Sequence, residues 1–124
     1  MNSHTGDHKG EIKLEIDELI NQDRVVIFSK ESCPYCVDAK NVFEEIGQTY
    51  REVDLNTLSQ PKEVQAILKE MTGASTVPRV FVDGKCIGGG SDTVQLFKTG
   101  RLEEILKSES VPLGESGRGE NPRF

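Results

Sequence analysis

Val25-Val26-Ile27-Phe28-Ser29-Lys30-Glu31-Ser32-Cys33-Pro34-Tyr35-Cys36 passes from an unbroken apolar run to a pair of cysteines. A short continuous run such as Val25 to Phe28 is the pattern of a strand covered on both faces. The loop after it ends at Cys33-Pro34. An apolar stripe then follows at Ala39, Val42, Phe43 and Ile46, with the spacing of an amphipathic helix. Proline is favoured in the first turn of a helix, where its missing N–H costs nothing. A helix is therefore expected over Pro34–Ile46, with Cys33 at its N-terminal edge. Unpaired backbone N–H groups and the positive end of the helix dipole point at that sulfur, and both favour thiolate over thiol. Thiols so placed titrate as low as about 3.5–7.5, against about 8.5 for a free cysteine. Lys30 adds positive charge nearby. Cys36, one turn on, shares the inward face with Ala39 and Phe43. Cys33 is thus expected to be exposed and ionisable, and Cys36 sheltered. Their spacing places the Cα atoms about 5–6 Å apart, which suits a disulfide. The asymmetry makes one sulfur the attacker and the other the resolver.

Strands and helices alternate around this junction. Ile12, Ile16, Leu19 and Ile20 recur at helical spacing, giving a first amphipathic helix. Tyr50 to Leu55 reads as a second strand. Val64, Ile67, Leu68 and Met71 give a further helix. Arg79–Val82 and Lys85–Ile87 flank Asp83-Gly84, a two-residue hairpin signal because glycine accepts positive φ. Thr93–Lys98 and Leu102–Lys107 read as short helices broken at Gly100. A strand–helix–strand unit requires a right-handed crossover and a parallel pair, whereas a tight hairpin is antiparallel. The expectation is an α/β fold: one mixed, four-stranded sheet with helices on both faces. Residues 1–10 read as a flexible lead, 11–108 as the folded domain, and 109–124, with Pro112, Gly114, Gly117, Gly119 and Pro122 among charges, as a flexible tail.

Composition narrows the function. A chain of 124 residues argues for one domain. Its longest apolar run is far below the ~20 residues of a spanning helix, so no membrane association is expected. The polar Met1–Gly10 stretch carries no secretory signal, and Asn2 removes N-myristoylation. A cytoplasmic setting is the expectation. The net charge of −6 argues against broad nucleic-acid binding, which depends on Lys and Arg meeting phosphate. The three cysteines are too few and of the wrong parity for a disulfide scaffold. With only His4 and His8 to join them, a closed four-ligand zinc site lacks ligands, so no metal site is expected. The Cys33/Cys36 pair without a secretory signal points to redox chemistry. Cys86 falls within a strand; it is either a packing residue or a regulatory or dimer-forming thiol.

Three motifs in order resemble the dithiol glutaredoxins, a branch of the thioredoxin superfamily. Cys33-Pro34-Tyr35-Cys36 matches that family's active-site tetrad. Thr76-Val77-Pro78 matches its cis-proline motif. Gly88-Gly89 followed by Ser91-Asp92 matches its glutathione-binding turn. The resemblance covers roughly residues 14–107. A thioredoxin is expected to carry Trp-Cys-Gly-Pro-Cys, and this chain has no Trp. The resemblance implies a thioredoxin-like fold with sheet order 2-1-3-4 and a cis bond at Val77-Pro78. It implies glutathione-dependent reduction of protein and small-molecule disulfides, above all glutathione mixed disulfides, in cell redox homeostasis. Glutathione is then a co-substrate rather than a permanently bound cofactor. Partners are glutathionylated or disulfide-containing proteins, met by a monomer. Cys33 is implied as nucleophile; a second glutathione, or Cys36 by closing a Cys33–Cys36 disulfide, releases it.

The implied glutathione site has a physical reading. The ligand carries two carboxylates and one ammonium. Lys30 and Gln65 suit the glycine carboxylate, and Tyr35 flanks that end; the plain alternatives are solvated surface for the first two and packing for Tyr35. Thr76, Val77 and Pro78 present backbone N–H and C=O at Val77 for strand-like pairing. Gly88-Gly89-Gly90 lets backbone approach a ligand without a Cβ in the way. Ser91 and Asp92 open a helix whose N–H groups suit the γ-glutamyl carboxylate, with the Asp92 side chain on the ammonium; either residue also serves as a helix cap, and the two roles are compatible. Ser75 departs from the family pattern, which often has a basic residue there, so weaker capture of the glycine end is expected. Two rival functions stand beside this one. One is a cluster carrier holding [2Fe–2S] between two subunits, against which the family pattern sets the proline after the first cysteine. The other is a redox-regulated binding module.

Overall fold

The computed structural model describes residues 4–108. The elements run α1 (His4–Ile20), β1 (Val25–Ser29), α2 (Pro34–Ile46), β2 (Arg51–Asp54), a 3₁₀ turn (Leu55–Thr57), α3 (Pro61–Thr72), β3 (Arg79–Val82), β4 (Lys85–Gly88), α4 (Gly90–Lys98) and α5 (Arg101–Lys107). Strand order is β2-β1-β3-β4. β1 pairs parallel with β2, and the antiparallel partners are β1 with β3 and β3 with β4. The mixed sheet and its 2-1-3-4 order match the expectation. Among the described residues no helix is long and apolar enough to cross a membrane.

The apolar run of β1 is explained by its position. It lies inside the sheet, and all five of its residues are buried. Alternate side chains leave opposite faces. Val26 and Phe28 join Ile12, Ile16 and Ile20 of α1 and Val64, Ile67 and Leu68 of α3 on one face. Val25 and Ile27 join Ala39, Val42 and Phe43 of α2 and Leu102 and Leu106 of α5 on the other. Phe28 meets Phe81 edge to face, with ring centroids 5.7 Å apart.

Three boundaries differ from expectation. Helix α1 begins at His4, so residues 4–10 are helical rather than an irregular lead. The second strand is shorter than Tyr50–Leu55. Tyr50 precedes it and donates its hydroxyl to Glu44 at 2.6 Å, while burial and then that bond push its pKa up to about 12. At the other end the Asp54 carboxylate accepts from the Asn56 N–H at 2.9 Å, which turns the chain into the 3₁₀ turn. Helix α4 starts at Gly90 rather than Thr93, because Asp92 caps it. The tail expected over 109–124 lies outside the described residues.

The hairpin forms as its sequence predicts. Asp83 and Gly84 take φ of 53° and 83°, the left-handed pair that a two-residue turn demands. Arg24 binds this turn: its Nε lies 3.1 Å from Asp83, and its Nη2 donates to the Ser108 carbonyl at 2.8 Å. Turn, sheet and the end of α5 are thereby joined at the N-terminal end of β1. The cysteines lie beyond the C-terminal end.

Phe28 is fully buried on the face that β1 shares with α1 and α3. Phe28→Ala is expected to destabilise the fold by about 3–5 kcal/mol, read by urea denaturation; a loss below about 1 kcal/mol contradicts this account of the core.

Candidate active site

Helix α2 starts where β1 has delivered the chain. Ser32 adopts a left-handed φ of 57°, and Cys33 follows in extended conformation as the N-cap, with Pro34 in the first turn. The Cys33 carbonyl accepts from the N–H groups of Cys36 and Val37 at 3.0 and 3.1 Å. The Cys36 N–H also lies 3.2 Å from Cys33 Sγ and donates to it. A helix N-terminal donor thus points at the sulfur, as the position of Pro34 predicts.

The two sulfurs are joined as a disulfide, with Cα atoms 5.2 Å apart. Cys36 is 2% exposed. Cys33 is half-buried, which is more sheltered than expected, because the cis-proline segment covers one side of it. The Val77-Pro78 peptide is cis, and the Val77 carbonyl oxygen sits 3.7 Å from Cys33 Sγ. Register explains the approach: Phe28 of β1 pairs with Arg79 of β3, so the segment before Arg79 abuts the β1–α2 loop.

Two hollows flank the thiol turn. One is a groove of about 350 Å³ lined by Tyr35, Thr76, Val77, Pro78, Arg79 and the start of α4 from Gly89 to Asp92. It gathers seven of the expected ligand residues: Tyr35, Thr76, Val77, Pro78, Gly89, Ser91 and Asp92. Tyr35 is 59% exposed, so it is free to flank a ligand rather than serving as packing. Asp92 Oδ2 accepts from the Gly89 N–H at 2.9 Å; the capping role is realised, and the exposed carboxylate still faces the groove.

The second hollow contains Lys30, Cys33, Cys36, Lys40, Glu52 and Asp54 among its walls. Lys30 therefore reaches the dithiol from the side opposite Asp92. Gln65 lines neither hollow. Its Nε2 donates to the Ser75 carbonyl, so here it holds the segment that leads into the cis proline.

One groove residue was missed in the sequence. Arg79 is only 7% exposed. Its Nε donates to the Thr76 carbonyl at 2.9 Å and its Nη2 to Thr76 Oγ1 at 3.4 Å. It braces the cis-proline turn and sets a buried positive charge in the groove wall. A lone cation opening the otherwise apolar strand Arg79-Val80-Phe81-Val82 was the available signal. At Gly90, expected only to admit a ligand, a Cβ would lie 2.8 Å from both Cβ and O of Tyr35. The first turns of α2 and α4 therefore touch through backbone, and two positive helix ends converge on one groove. Such an arrangement suits an anionic ligand.

The comparisons agree with this geometry. The family model described as Glutaredoxin matches residues 25–87. Bovine mitochondrial glutaredoxin-2 is 48% identical over 92 residues, which span 74% of this chain and 59% of that protein. Glutaredoxin-C2 of Arabidopsis thaliana is 39% identical over 99 residues, covering 80% of this chain and 89% of the relative. A buckwheat glutaredoxin, solved as a glutathione complex, superposes with a TM-score of 0.77 at 33% identity, covering 81% of this chain and 91% of that one. The chain has a thioredoxin-like fold and belongs to the glutaredoxin family. It spans 59% of the length of the bovine and mouse mitochondrial relatives.

Gly90→Ala is expected to force α2 and α4 apart and to destabilise by about 1–3 kcal/mol through overpacking. Thermal or urea melts measure this. An unchanged midpoint would mean that the helix starts have room to give.

Proposed function

We propose that the chain is a glutathione-dependent thiol–disulfide oxidoreductase acting on glutathione mixed disulfides and on protein disulfides. The observation that carries this reading is the Cys33–Cys36 pair at the start of α2. Cys33 Sγ there receives the Cys36 N–H and borders the groove wall at Val77. The family membership and the buckwheat glutathione complex support the choice of ligand.

The residues divide the work. The Cys33 thiolate, stabilised by the α2 N-terminus, attacks the glutathionyl sulfur of a mixed disulfide. The substrate thiolate leaves and takes up a proton. Glutathione remains on Cys33, its backbone paired with the N–H and C=O of Val77 as an added strand. Its γ-glutamyl carboxylate lies at the α4 N-terminus near Ser91, with the ammonium on Asp92. Lys30 meets the glycine carboxylate from across the dithiol, while Arg79 and Gln65 fix the cis-proline segment. A second glutathione thiolate then attacks the bound glutathionyl sulfur and leaves as glutathione disulfide. Alternatively the Cys36 thiolate attacks Cys33 Sγ and closes the disulfide.

The protein works as a monomer in this reading, in a compartment where reduced glutathione is in excess. The cytoplasm and the mitochondrion named for the mammalian relatives both meet that requirement, and cell fractionation decides between them.

In a coupled assay with a small glutathione mixed disulfide, Cys33→Ser is expected to abolish turnover, whereas Cys36→Ser retains a substantial rate. Equal loss in both variants would contradict the asymmetric assignment. A separate pair of variants tests the ligand site. Asp92→Ala should raise the KM for glutathione about fivefold or more, the loss of roughly 1 kcal/mol from one charged contact. Ser75→Arg should lower it by restoring a cation at the glycine end. No movement in either constant refutes the placement of the two ligand ends.

A further inference from the structure

The hollow on the far side of the dithiol from Asp92 holds a network that the scheme above does not use. Glu52 projects from β2 towards α2, because its neighbour Val53 is buried on the opposite face with α1 and α3. Its Oε2 accepts two bonds. One comes from the hydroxyl of Ser29, a side chain only 1% exposed at the end of β1, at 2.7 Å. The other comes from Lys40 Nζ at 3.0 Å. Burial raises the Glu52 pKa, but the Ser29 and Lys40 bonds and the Lys40 charge outweigh it, so the carboxyl titrates below its usual range. It is ionised at neutral pH and tethers the Lys40 ammonium in place.

Lys40 follows Cys36 by one helical turn, so the two share a face of α2. Long side chains on a helix lie back over the turn N-terminal to their own Cα. The Lys40 stem is thereby directed back towards Cys36, a residue only 2% exposed, and Lys40 lines the same hollow as Cys33 and Cys36. One ammonium proton is committed to Glu52, leaving two others. The remaining charged groups in the hollow are Lys30 and Glu31 from the loop and Asp54 from β2. Asp54 is engaged with the Asn56 N–H. On the cis-proline side Thr76, Val77 and Pro78 bring no charge. Arg79 is taken by Thr76, and Asp92 of α4 faces the other groove.

We propose that Lys40, anchored through Glu52 to Ser29, is a positioning residue for the resolving half of the cycle: its stem shelters Cys36 and its ammonium favours the Cys36 thiolate. This rests on the oxidoreductase reading above. In the step concerned, the Cys36 thiol gives its proton to solvent. The thiolate attacks Cys33 Sγ, the Cys33–glutathione bond breaks and the Cys33–Cys36 bond forms. Glutathione leaves as a thiolate and is then protonated. The helix N-terminus serves Cys33; Lys40 supplies the charge for the second sulfur, which faces inward.

The test follows the reduced full chain mixed with oxidised glutathione, quenched at intervals and weighed by mass spectrometry. It reads formation of the Cys33–glutathione adduct and its conversion to the internal disulfide. Within each variant, closure is expressed as a ratio to adduct formation. Lys40→Met keeps the stem and removes the charge. It is expected to lower that ratio at pH 7 about tenfold and to move the midpoint of closure against pH up by about one unit, with Lys40→Arg restoring both. Lys40→Ala also removes the cover, and in a Cys33→Ser background its Cys36 is expected to alkylate severalfold faster than that of Lys40→Met. Should Lys40→Met fold poorly, Lys40→Gln carries the same expectation. An unchanged ratio and midpoint in the uncharged variants overturns the proposal. Absence of both adduct and internal disulfide in the unsubstituted protein overturns the oxidoreductase reading, and this one with it.

Discussion

Burial of β1 on both faces is the constraint from which the rest follows. Five consecutive residues without exposed surface require a strand on either side and a helical layer above and below. The layers are supplied by α1 with α3 and by α2 with α5. A strand so enclosed has little freedom in where it ends. The loop after Ser29 must emerge at the sheet's C-terminal edge, and α2 must begin there to cover Val25 and Ile27. The reactive sulfur is thus placed by apolar packing, far more than by its own contacts. Its electrostatics come from the helix start that the same packing dictates, and a single N–H at 3.2 Å completes the arrangement.

A second convergence makes the groove. Antiparallel register sets Arg79 beside Phe28, which brings the cis-proline segment against Cys33. The hairpin then returns the chain through β4 to Gly89 and Gly90. Close approach at Gly90 draws the start of α4 onto that of α2. Three segments distant in sequence share one anion-friendly surface, and none of them could make it alone. Arg79 contributes from below, with its guanidinium held by Thr76 so that its charge is fixed in position.

Much of this was legible from residue order. The continuous run 25–28, the Pro34 start and the stripe at Ala39, Val42, Phe43 and Ile46 gave β1 and α2 nearly to the residue, because strong periodicity and a rigid proline leave few alternatives. Asp83-Gly84 gave the hairpin for the same reason. The sheet order and the cis bond came from resemblance, since no local pattern encodes them. The missed features are those that depend on through-space neighbours. For Gly90, expected only to admit a ligand, it is the contact with Tyr35, 55 positions away, and for Gln65 the bond to the Ser75 carbonyl. Nothing local to the strand marks the bonds that Glu52 accepts from Ser29 and Lys40. The polar composition of residues 4–10 likewise concealed a helical backbone.

The Arg24 clamp has a practical corollary. It fastens the Asp83 turn and the Ser108 carbonyl to one another at the sheet edge remote from the thiols, a β1 length of about 16 Å away at ordinary strand rise. A bead, electrode or fluorophore grafted at Ser108 on a shortened chain would therefore hold the molecule by its base, with the dithiol presented outward to solution. The orientation would be set by the scaffold itself and need no engineered spacer.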